Sequence, residues 1–355
     1  MSAKWSAGRF AKVVAEGGDL LRWRSPLRTE LWASRITASW LPDGGTDSDA
    51  LLERAAKDGG QEARLLLAAL AVVGAPEEVA DLAGHLLRNL DSKRSAVLPA
   101  GSRELPEWVG RMGQVICTGA WYGKADPYGE QVLAVLGFQY VNGKEPHLVV
   151  VGIDQVHGGL AIDALVEEPK FLDGLKVEPA EPGVVAGRVL DAFSLTDSVL
   201  GAATAETLDP VRSLVLARAR SVPGLVRHAP DTTMAAFAEE GLPDIPGAQE
   251  AFDALTEFVG DRPLWWSPAR VSQFIRVWLP REAILSDAAI MAMPEVVRAW
   301  TIHANAPEET LARIDAEIPQ LPALMADPSL AGHAKRLRLL TSPGQKPDPD
   351  TAQDF

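Results

Sequence analysis

The sequence predicts an α+β fold that is predominantly helical, with a small antiparallel sheet of three to four strands at about residues 115–168. One observation is the crowding of Val, Ile and aromatic residues from Val132 to Glu168, between Gly, Pro and Asn turn signals. Such short β-branched runs are typical of strands. A second observation is the helical spacing of apolar residues on both sides of that block. We therefore expect the sheet to be packed between an N-terminal and a C-terminal helical segment.

Three strand-like runs lie in the central block, at 132–141, 147–155 and 160–167. Because the connections between them are too short for a parallel crossover, neighbouring strands are predicted to be antiparallel. Both faces of the middle run are apolar, so this strand is expected to be covered on both sides. A short strand at 115–118 would add a fourth.

The predicted organisation has four parts. Residues 1–112 form a helical segment, 113–180 the sheet segment and 181–340 a second helical segment. The last part, 341–355, is polar and proline-bearing, and is predicted to be disordered.

Two stretches of the helical segments resemble each other. Trp23–Arg28 reads WRSPLR and Trp265–Arg270 reads WWSPAR. In each, a Ser before a Pro is typical of an N-cap followed by the first residue of a helix. A Trp-Leu-Pro follows each stretch, at Trp40–Pro42 and at Trp278–Pro280. Duplication of a helical unit and coincidence among capped, Trp-rich helices both stay open.

The charge of the chain limits its partners. A formal net charge of −14 disfavours nucleic acid and anionic membranes as general partners, because those need basic surface. The acidic composition leaves room for local basic clusters. Arg212, Arg218 and Arg220, on one predicted helix, are expected to be solvated or paired with the surplus carboxylates.

The compartment is predicted from cysteine usage and from hydropathy. Cys117 is the only cysteine, which excludes a disulfide within the chain and favours a reducing compartment. No signal-peptide pattern is visible at the N-terminus, and the most apolar helical run, 63–73, is too short to span a bilayer. We expect a cytoplasmic protein with no membrane partner.

The densest set of potential metal ligands is His147, Asp154, His157 and Asp163. Two imidazoles and two carboxylates could hold a divalent transition metal, and the last three would then be the candidate catalytic residues. The spacing matches no established metal motif. The alternative is that Asp154 and His157 are turn residues that bind backbone groups near a Gly-Gly pair.

The register of this hairpin decides how close the two aspartates lie. A two-residue turn at Gly158-Gly159 sets Asp154 opposite Asp163, and two like charges in that arrangement need a metal, a shared proton or a cation. A four-residue loop instead leaves Asp154 in the turn and sets Asp163 opposite Gly152. The sequence allows both registers.

A loop at 121–129 is the predicted contact surface. Trp121, Tyr122 and Tyr128 are amphipathic aromatic residues of the kind that dominates binding hot spots. The same rings could instead cover the sheet. Cys117 is expected to be an unreactive strand thiol, since no helix N-terminus lies beside it.

Motifs for several chemistries are missing from the sequence. It has no Gly-rich phosphate loop, no serine-nucleophile elbow, no H-E-x-x-H and no paired C-x-x-C. We therefore expect a non-catalytic interaction or regulatory protein without a cofactor, with another protein as its partner. The alternative is a metal-assisted hydrolase or small-molecule enzyme centred on the Asp154–Asp163 hairpin.

Overall fold

The computed structural model of the chain describes residues 7–39, 46–74, 76–95 and 104–341. Trp40–Pro42 and all but the first residue of the predicted tail lie outside these ranges. The described residues divide into two compact units. The first holds the residues up to Ala125 together with Val132–Ala229, and the second holds Asp126–Gln131 together with the residues from Pro230 onward.

The first unit begins with a bundle of helices. Helix α4 is apolar on nearly every side, and Leu65, Leu66, Leu67 and Leu70 are accordingly buried completely. The helix contacts each of the other four helices of the bundle. The helices are α1 (Ala7–Trp23), α2 (Pro26–Ala38), α3 (Thr46–Asp58), α4 (Gln61–Val73) and α5 (Glu77–Ser95), followed by a 3₁₀ turn at Glu107–Arg111.

The sheet has five antiparallel strands in the order β4-β3-β2-β1-β5 among the described residues. A mostly helical α+β fold is therefore confirmed, whereas the predicted count of three to four strands is wrong. The additional strand contains only a Glu and a Pro, and because both residues have low strand propensity, no local pattern predicts a strand there. The strands are β1 (Val115–Lys124), β2 (Gln131–Tyr140), β3 (His147–Asp154), β4 (Leu160–Glu167) and β5 (Glu178–Pro179).

Strand β3 is buried on both faces, as its pattern predicted, from His147 to Ile153. Leu148 and Val150 pack in a cluster with Val135, Trp121 and two leucines that follow β4. On the opposite face lie His147, Val149, Val151 and Ile153, all of them buried. The structure therefore confirms that the middle strand of the predicted meander is dry on both sides.

Strand β1 extends well beyond the predicted 115–118. It runs to Lys124, with a bulge between Cys117 and Gly119. Trp121 and Tyr122 therefore lie in a strand, and their placement in a loop was wrong. Trp and Tyr have high strand propensity, and in this stretch that propensity outweighs the tendency of the following Gly-Lys pair to form a turn.

Strand β5 leaves much of the sheet edge open. It pairs with β1 only at Trp121 and Tyr122. Within the described residues, Val115–Gly119 therefore has a strand partner on one side, β2, and none on the other.

Two helices complete the first unit, α6 (Pro182–Ser198) and α7 (Leu208–Arg220), and both lie against β4. Helix α6 has glycines one turn apart at Gly183 and Gly187, and the backbone of Gly224 and Val226 passes so close to them that a Cβ at either would overlap a carbonyl oxygen. Only glycine allows this approach.

The second unit is helical apart from the short segment 126–131. Its core is rich in aromatic side chains, with Phe237, Trp266, Phe274 and Trp300 completely buried. Helix α12 is continuous through Pro294. The helices are α8 (Thr233–Glu240), α9 (Ala248–Val259), α10 (Pro268–Ser272), α11 (Leu279–Glu282), α12 (Asp287–His303), α13 (Glu308–Glu317), α14 (Leu321–Ala326) and α15 (His333–Thr341).

A π-helical segment, Gln273–Trp278, joins α10 to α11. In it the backbone N–H of Leu279 donates to the carbonyl of Phe274, five residues earlier. The wider turn comes directly before Pro280, whose ring would meet the carbonyl of residue 276 in a regular α-helix.

The two predicted serine caps are both present. Ser25 accepts the backbone N–H of Arg28 at 3.1 Å, and Ser267 accepts that of Arg270 at 3.3 Å. Each helix then starts with its Pro. The local resemblance between the stretches is therefore real at the level of capping, while the helices that follow differ, since only α10 leads into a π-helical segment.

Candidate functional site

The β3–β4 hairpin has the register that separates its two aspartates. Asp163 is opposite Gly152, and Asp154 is opposite Leu160. Ile162 is the extra residue of a bulge on β4. No pair of like charges is opposed in the ladder, so the hairpin has no need of a metal to neutralise one.

Asp154 acts as a turn residue. Its carboxylate accepts the backbone N–H groups of Val156 at 2.8 Å and His157 at 3.2 Å, and its second oxygen lies 2.6 Å from the His157 Nδ1. Asp163 instead accepts a hydrogen bond from the Thr207 hydroxyl. The structure thus brings Asp154 and His157 together and gives Asp163 a different partner.

His147 lies at the other end of β3, buried and in contact with Arg218. Within the described ranges, no group of three or more His, Cys, Asp or Glu side chains is arranged to hold a metal ion. Of the four predicted ligands, only Asp154 and His157 lie next to each other. A divalent metal at this hairpin therefore stays a prediction, and the structure brings together two of its four predicted ligands.

The predicted aromatic contact residues lie in two different units. The Trp121 ring lies against Gly119 and Gly137, two glycines of the sheet. A Cβ at Gly119 would come within 2.7 Å of the ring and one at Gly137 within 3.4 Å, so the absence of side chains there makes room for it. The Tyr122 ring faces the guanidinium of Arg188 at 4.4 Å. Both rings stay half-exposed.

Tyr128 belongs to a tightly bonded turn in the second unit. The Asp126 carboxylate accepts the N–H groups of Tyr128 at 2.8 Å and Gln131 at 2.6 Å. The carbonyl of Tyr128 accepts the N–H of Trp266 at 2.9 Å. Gly129 has φ +67 and passes close to the Leu264 carbonyl. This turn is fixed by its backbone, and its tyrosine ring is half-buried.

Cys117 is a half-buried strand residue whose sulfur lies 3.6 Å from the carbonyl of Gly119. Burial raises the pKa of this thiol, and the backbone hydrogen bond offsets only part of that rise. A raised pKa keeps the less reactive thiol form, which agrees with the expectation of an unreactive cysteine.

A buried polar cluster that the sequence analysis missed lies in the first unit. It consists of Glu30, Tyr140, His147 and Arg218, from α2, β2, β3 and α7, and we call it the Arg218 cluster. Arg218 is only 1% exposed. It follows the buried Leu214 by four residues on the same face of α7, and this spacing was the one signal that its side chain points inward.

Every member of the Arg218 cluster is bonded to another. The Arg218 guanidinium donates to the Glu30 carboxylate, to the Tyr140 hydroxyl at 3.1 Å and to the His147 Nε2 at 3.1 Å. The Tyr140 hydroxyl donates to Glu30 at 2.6 Å, and the backbone N–H of Gly113 donates to its other oxygen at 2.6 Å. A buried charge pair with this many hydrogen bonds is compensated internally.

The cluster controls the protonation of its members. Burial, and then the charge of Arg218, lower the pKa of His147 to about 4. Because its Nε2 accepts from Arg218, its Nδ1 carries the proton that is donated to the Glu145 carbonyl at 2.8 Å. Burial and the negative charge of Glu30 raise the pKa of Tyr140. Both groups are therefore neutral around pH 7, and they lie beside the Arg218–Glu30 ion pair.

The second unit contains a buried arginine with a different environment. Arg270 is 8% exposed, and its guanidinium lies between the rings of Phe258 at 4.2 Å and Trp265 at 4.1 Å. It donates to the carbonyl of Phe258 and to the side-chain oxygen of Gln273, each at 3.1 Å. We call Phe258, Trp265 and Arg270 the Arg270 stack.

The Arg270 stack has no carboxylate among its described partners. The Nε of Arg270 and the Nε1 of Trp265 are both buried without a hydrogen-bond acceptor. A second guanidinium, Arg262, lies 5.4 Å from the Trp265 ring and pairs with the exposed Asp261 at 3.4 Å. Burial, and then the positive charge of Arg262, lower the pKa of Arg270 to about 10.

Comparison with known proteins identifies no relative: no family model, no curated protein and no solved structure matches the chain. Within the described residues, no helix is both long enough and apolar enough to cross a membrane.

Proposed function

We propose that the chain is a non-catalytic interaction protein whose contact surface for another protein is the open half of β1, Val115–Gly119, with Trp121 and Tyr122. We call this the β1 surface. The observation that carries the proposal is that this strand edge has no partner strand among the described residues and lies beside two half-exposed aromatic rings.

An open strand edge presents unpaired N–H and C=O groups, which a segment of a partner can complete as an additional strand. The residues of this edge carry no charge, and Ile116 is 48% exposed. The bulge after Cys117 limits regular pairing to the first few residues. A short extended segment of a partner fits this edge better than a long strand.

The aromatic rings add rigid contact area next to the edge. Trp121 is held flat over Gly119 and Gly137, and Tyr122 is held by Arg188, so neither loses much conformational freedom on binding. Preorganised Trp and Tyr side chains are typical of binding hot spots.

The titratable residues that the structure brings together support a non-catalytic role. The Arg218 cluster is buried and bonded within itself, and Asp154 and His157 are engaged in a hairpin turn. In both places the hydrogen-bonding capacity is used to hold the fold.

Site-specific photo-crosslinking tests the proposal. A photoreactive amino acid at position 116 is expected to crosslink a partner from the native cell extract, whereas the same amino acid at position 200, on the exposed Leu200, is not. An Ile116→Glu change should then abolish capture without lowering the unfolding temperature, because the side chain is half in solvent. Its matched control is Leu200→Glu.

Two results would contradict the proposal. One is an equal crosslinking yield at positions 116 and 200, which would indicate non-specific contact. The other is unchanged capture of the same partner by folded Ile116→Glu protein, which would locate the contact surface elsewhere.

A further inference from the structure

The Arg270 stack buries a positive charge without an anion among the partners of Arg270. Transfer of an ionised group into a protein interior is costly unless an opposite charge or a full set of hydrogen bonds compensates it. Arg270 has two aromatic faces, one carbonyl and one amide oxygen as partners, and none of these is an anion. The guanidinium is therefore only partly compensated.

Two donors of the stack are also unused. Buried N–H groups nearly always have an acceptor, so each exception calls for an explanation. Of the buried donors that lack an acceptor within the described residues, the Arg270 Nε and the Trp265 Nε1 belong to side chains in direct contact with each other. An acceptor at this place is what the arrangement lacks.

The neighbourhood adds positive charge. Arg262 lies near the other side chains of the stack and is close enough to lower the pKa of Arg270. Arg262 also pairs with Asp261, whose side chain is largely in solvent, so this pair screens only part of the repulsion between the two cations. An anion between them would relieve this repulsion.

The backbone next to the stack is unusual as well. Gln273, which holds the Arg270 guanidinium, is the first residue of the π-helical segment. Single π turns within helices are rare and are frequently found at functional sites.

We propose that Arg270, Trp265 and Arg262 form a binding site for a small oxyanion, a carboxylate or a phosphate group. A guanidinium presents N–H donors in a geometry that matches such oxygens, and the indole N–H adds a further donor. The ligand enters from the side of Trp265 and Arg262, which are both partly exposed. This site lies wholly in the second unit and is independent of the β1 surface.

The first unit provides a natural comparison. Arg28 stacks on Trp23 at 5.1 Å in the same W-x-S-P-x-R pattern, but both side chains are exposed to solvent. Water satisfies their polar groups, so this pair has no need of an anion. Arg28→Gln is therefore a matched control for Arg262→Gln.

The experiment is a titration of the full chain with sodium phosphate, sodium acetate and sodium chloride at equal ionic strength, followed by thermal unfolding and calorimetry. We expect phosphate or acetate to raise the unfolding temperature above that in chloride. Trp265→Phe keeps the ring and removes the N–H, and should weaken the affinity about ten-fold. Arg262→Gln should weaken it similarly, and Arg28→Gln should not.

The acetate and phosphate titrations distinguish the two possible ligand groups. A response to acetate alone assigns a carboxylate, and a response to phosphate alone assigns a phosphate group. The proposal is overturned if neither anion acts differently from chloride. It is equally overturned if Trp265→Phe and Arg262→Gln, while folded, respond as the unmodified chain does.

Discussion

Arg218 in the first unit and Arg270 in the second are both buried, and their charges are compensated in different ways. Arg218 meets a carboxylate, a hydroxyl and an imidazole, so its charge is balanced inside the first unit. Arg270 meets two aromatic rings and two neutral oxygens, and keeps one N–H unused. The comparison suggests that a buried cation can be structural in one place and available to a ligand in another, depending on whether an anion is built in.

The origin of the partners also differs. Glu30 is 188 residues from Arg218 in the sequence, whereas Trp265 is the fifth residue before Arg270. The charge of Arg218 is therefore compensated by a residue that only tertiary structure brings close. In the Arg270 stack, by contrast, Trp265 is close to Arg270 in the sequence itself. Changes to the first unit should therefore affect global stability more than changes to the second.

The largest effect is expected for Glu30→Gln. The substitution keeps the size of the side chain but leaves Arg218 as an unpaired buried charge, which should lower the free energy of unfolding by about 3–5 kcal/mol. Urea unfolding measures this loss. A Glu30→Gln/Arg218→Met double variant should recover part of it, and no recovery would show that charge compensation is not the cause.

The next effect is a loss of stability at acid pH. His147 has a folded pKa of about 4, below its unfolded value of about 6.5, so the unfolded chain binds one more proton between these values. This contribution is complete above pH 6.5 and is lost as the pH falls towards 4, by about 3 kcal/mol in total.

Unfolding measured from pH 7 to pH 4 in the His147→Gln variant tests this. The variant should show a shallower decline with falling pH than the unmodified chain. Equal slopes for the variant and the unmodified chain would contradict the assignment to His147.

A smaller effect is expected for Arg270→Met. The change removes stacking worth about 1–2 kcal/mol, but it also removes the cost of burying an uncompensated charge. The net loss should stay below about 2 kcal/mol, well under that of Arg218→Met. Losses of equal size for the two variants would mean that Arg270 is as fully compensated as Arg218.

The smallest effect concerns the β3–β4 hairpin. Asp154→Ala removes two hydrogen bonds to backbone N–H groups and should cost about 1 kcal/mol, while Asp154→Asn keeps an acceptor and costs less. Thermal unfolding with and without Zn²⁺ completes this test. A rise with Zn²⁺ that Asp154→Ala abolishes would instead favour the metal-dependent enzyme.

Much of the local structure could be predicted from the sequence. Ser25 and Ser267 were recognisable as caps because the Ser-Pro pattern acts within one helical turn. The burial of β3 on both faces was predictable because successive residues of the strand, which point to opposite faces, are apolar. Both features depend on residues close to each other in the chain.

The features that escaped prediction depend on distant parts of the chain. The Arg218 cluster joins residues from four separate elements, and no local pattern marks Glu30 as its anion. The register of Asp163 depends on a bulge at Ile162, which the alternation of side chains does not reveal. Trp121 was assigned to a loop because Gly123-Lys124 follows Tyr122 and is typical of a turn, whereas β1 continues to Lys124 by pairing with β2.

The most direct test of the comparison between the two arginines is NMR of their side-chain Nε–H groups in the full chain labelled with ¹⁵N-arginine. On addition of phosphate or acetate at constant ionic strength, the Arg270 signal should move in a saturable way. The Arg218 signal, whose Nε–H is already bonded to His147, should stay in place. An Arg270 signal that does not respond to either anion, or equal shifts of both signals, would contradict the account.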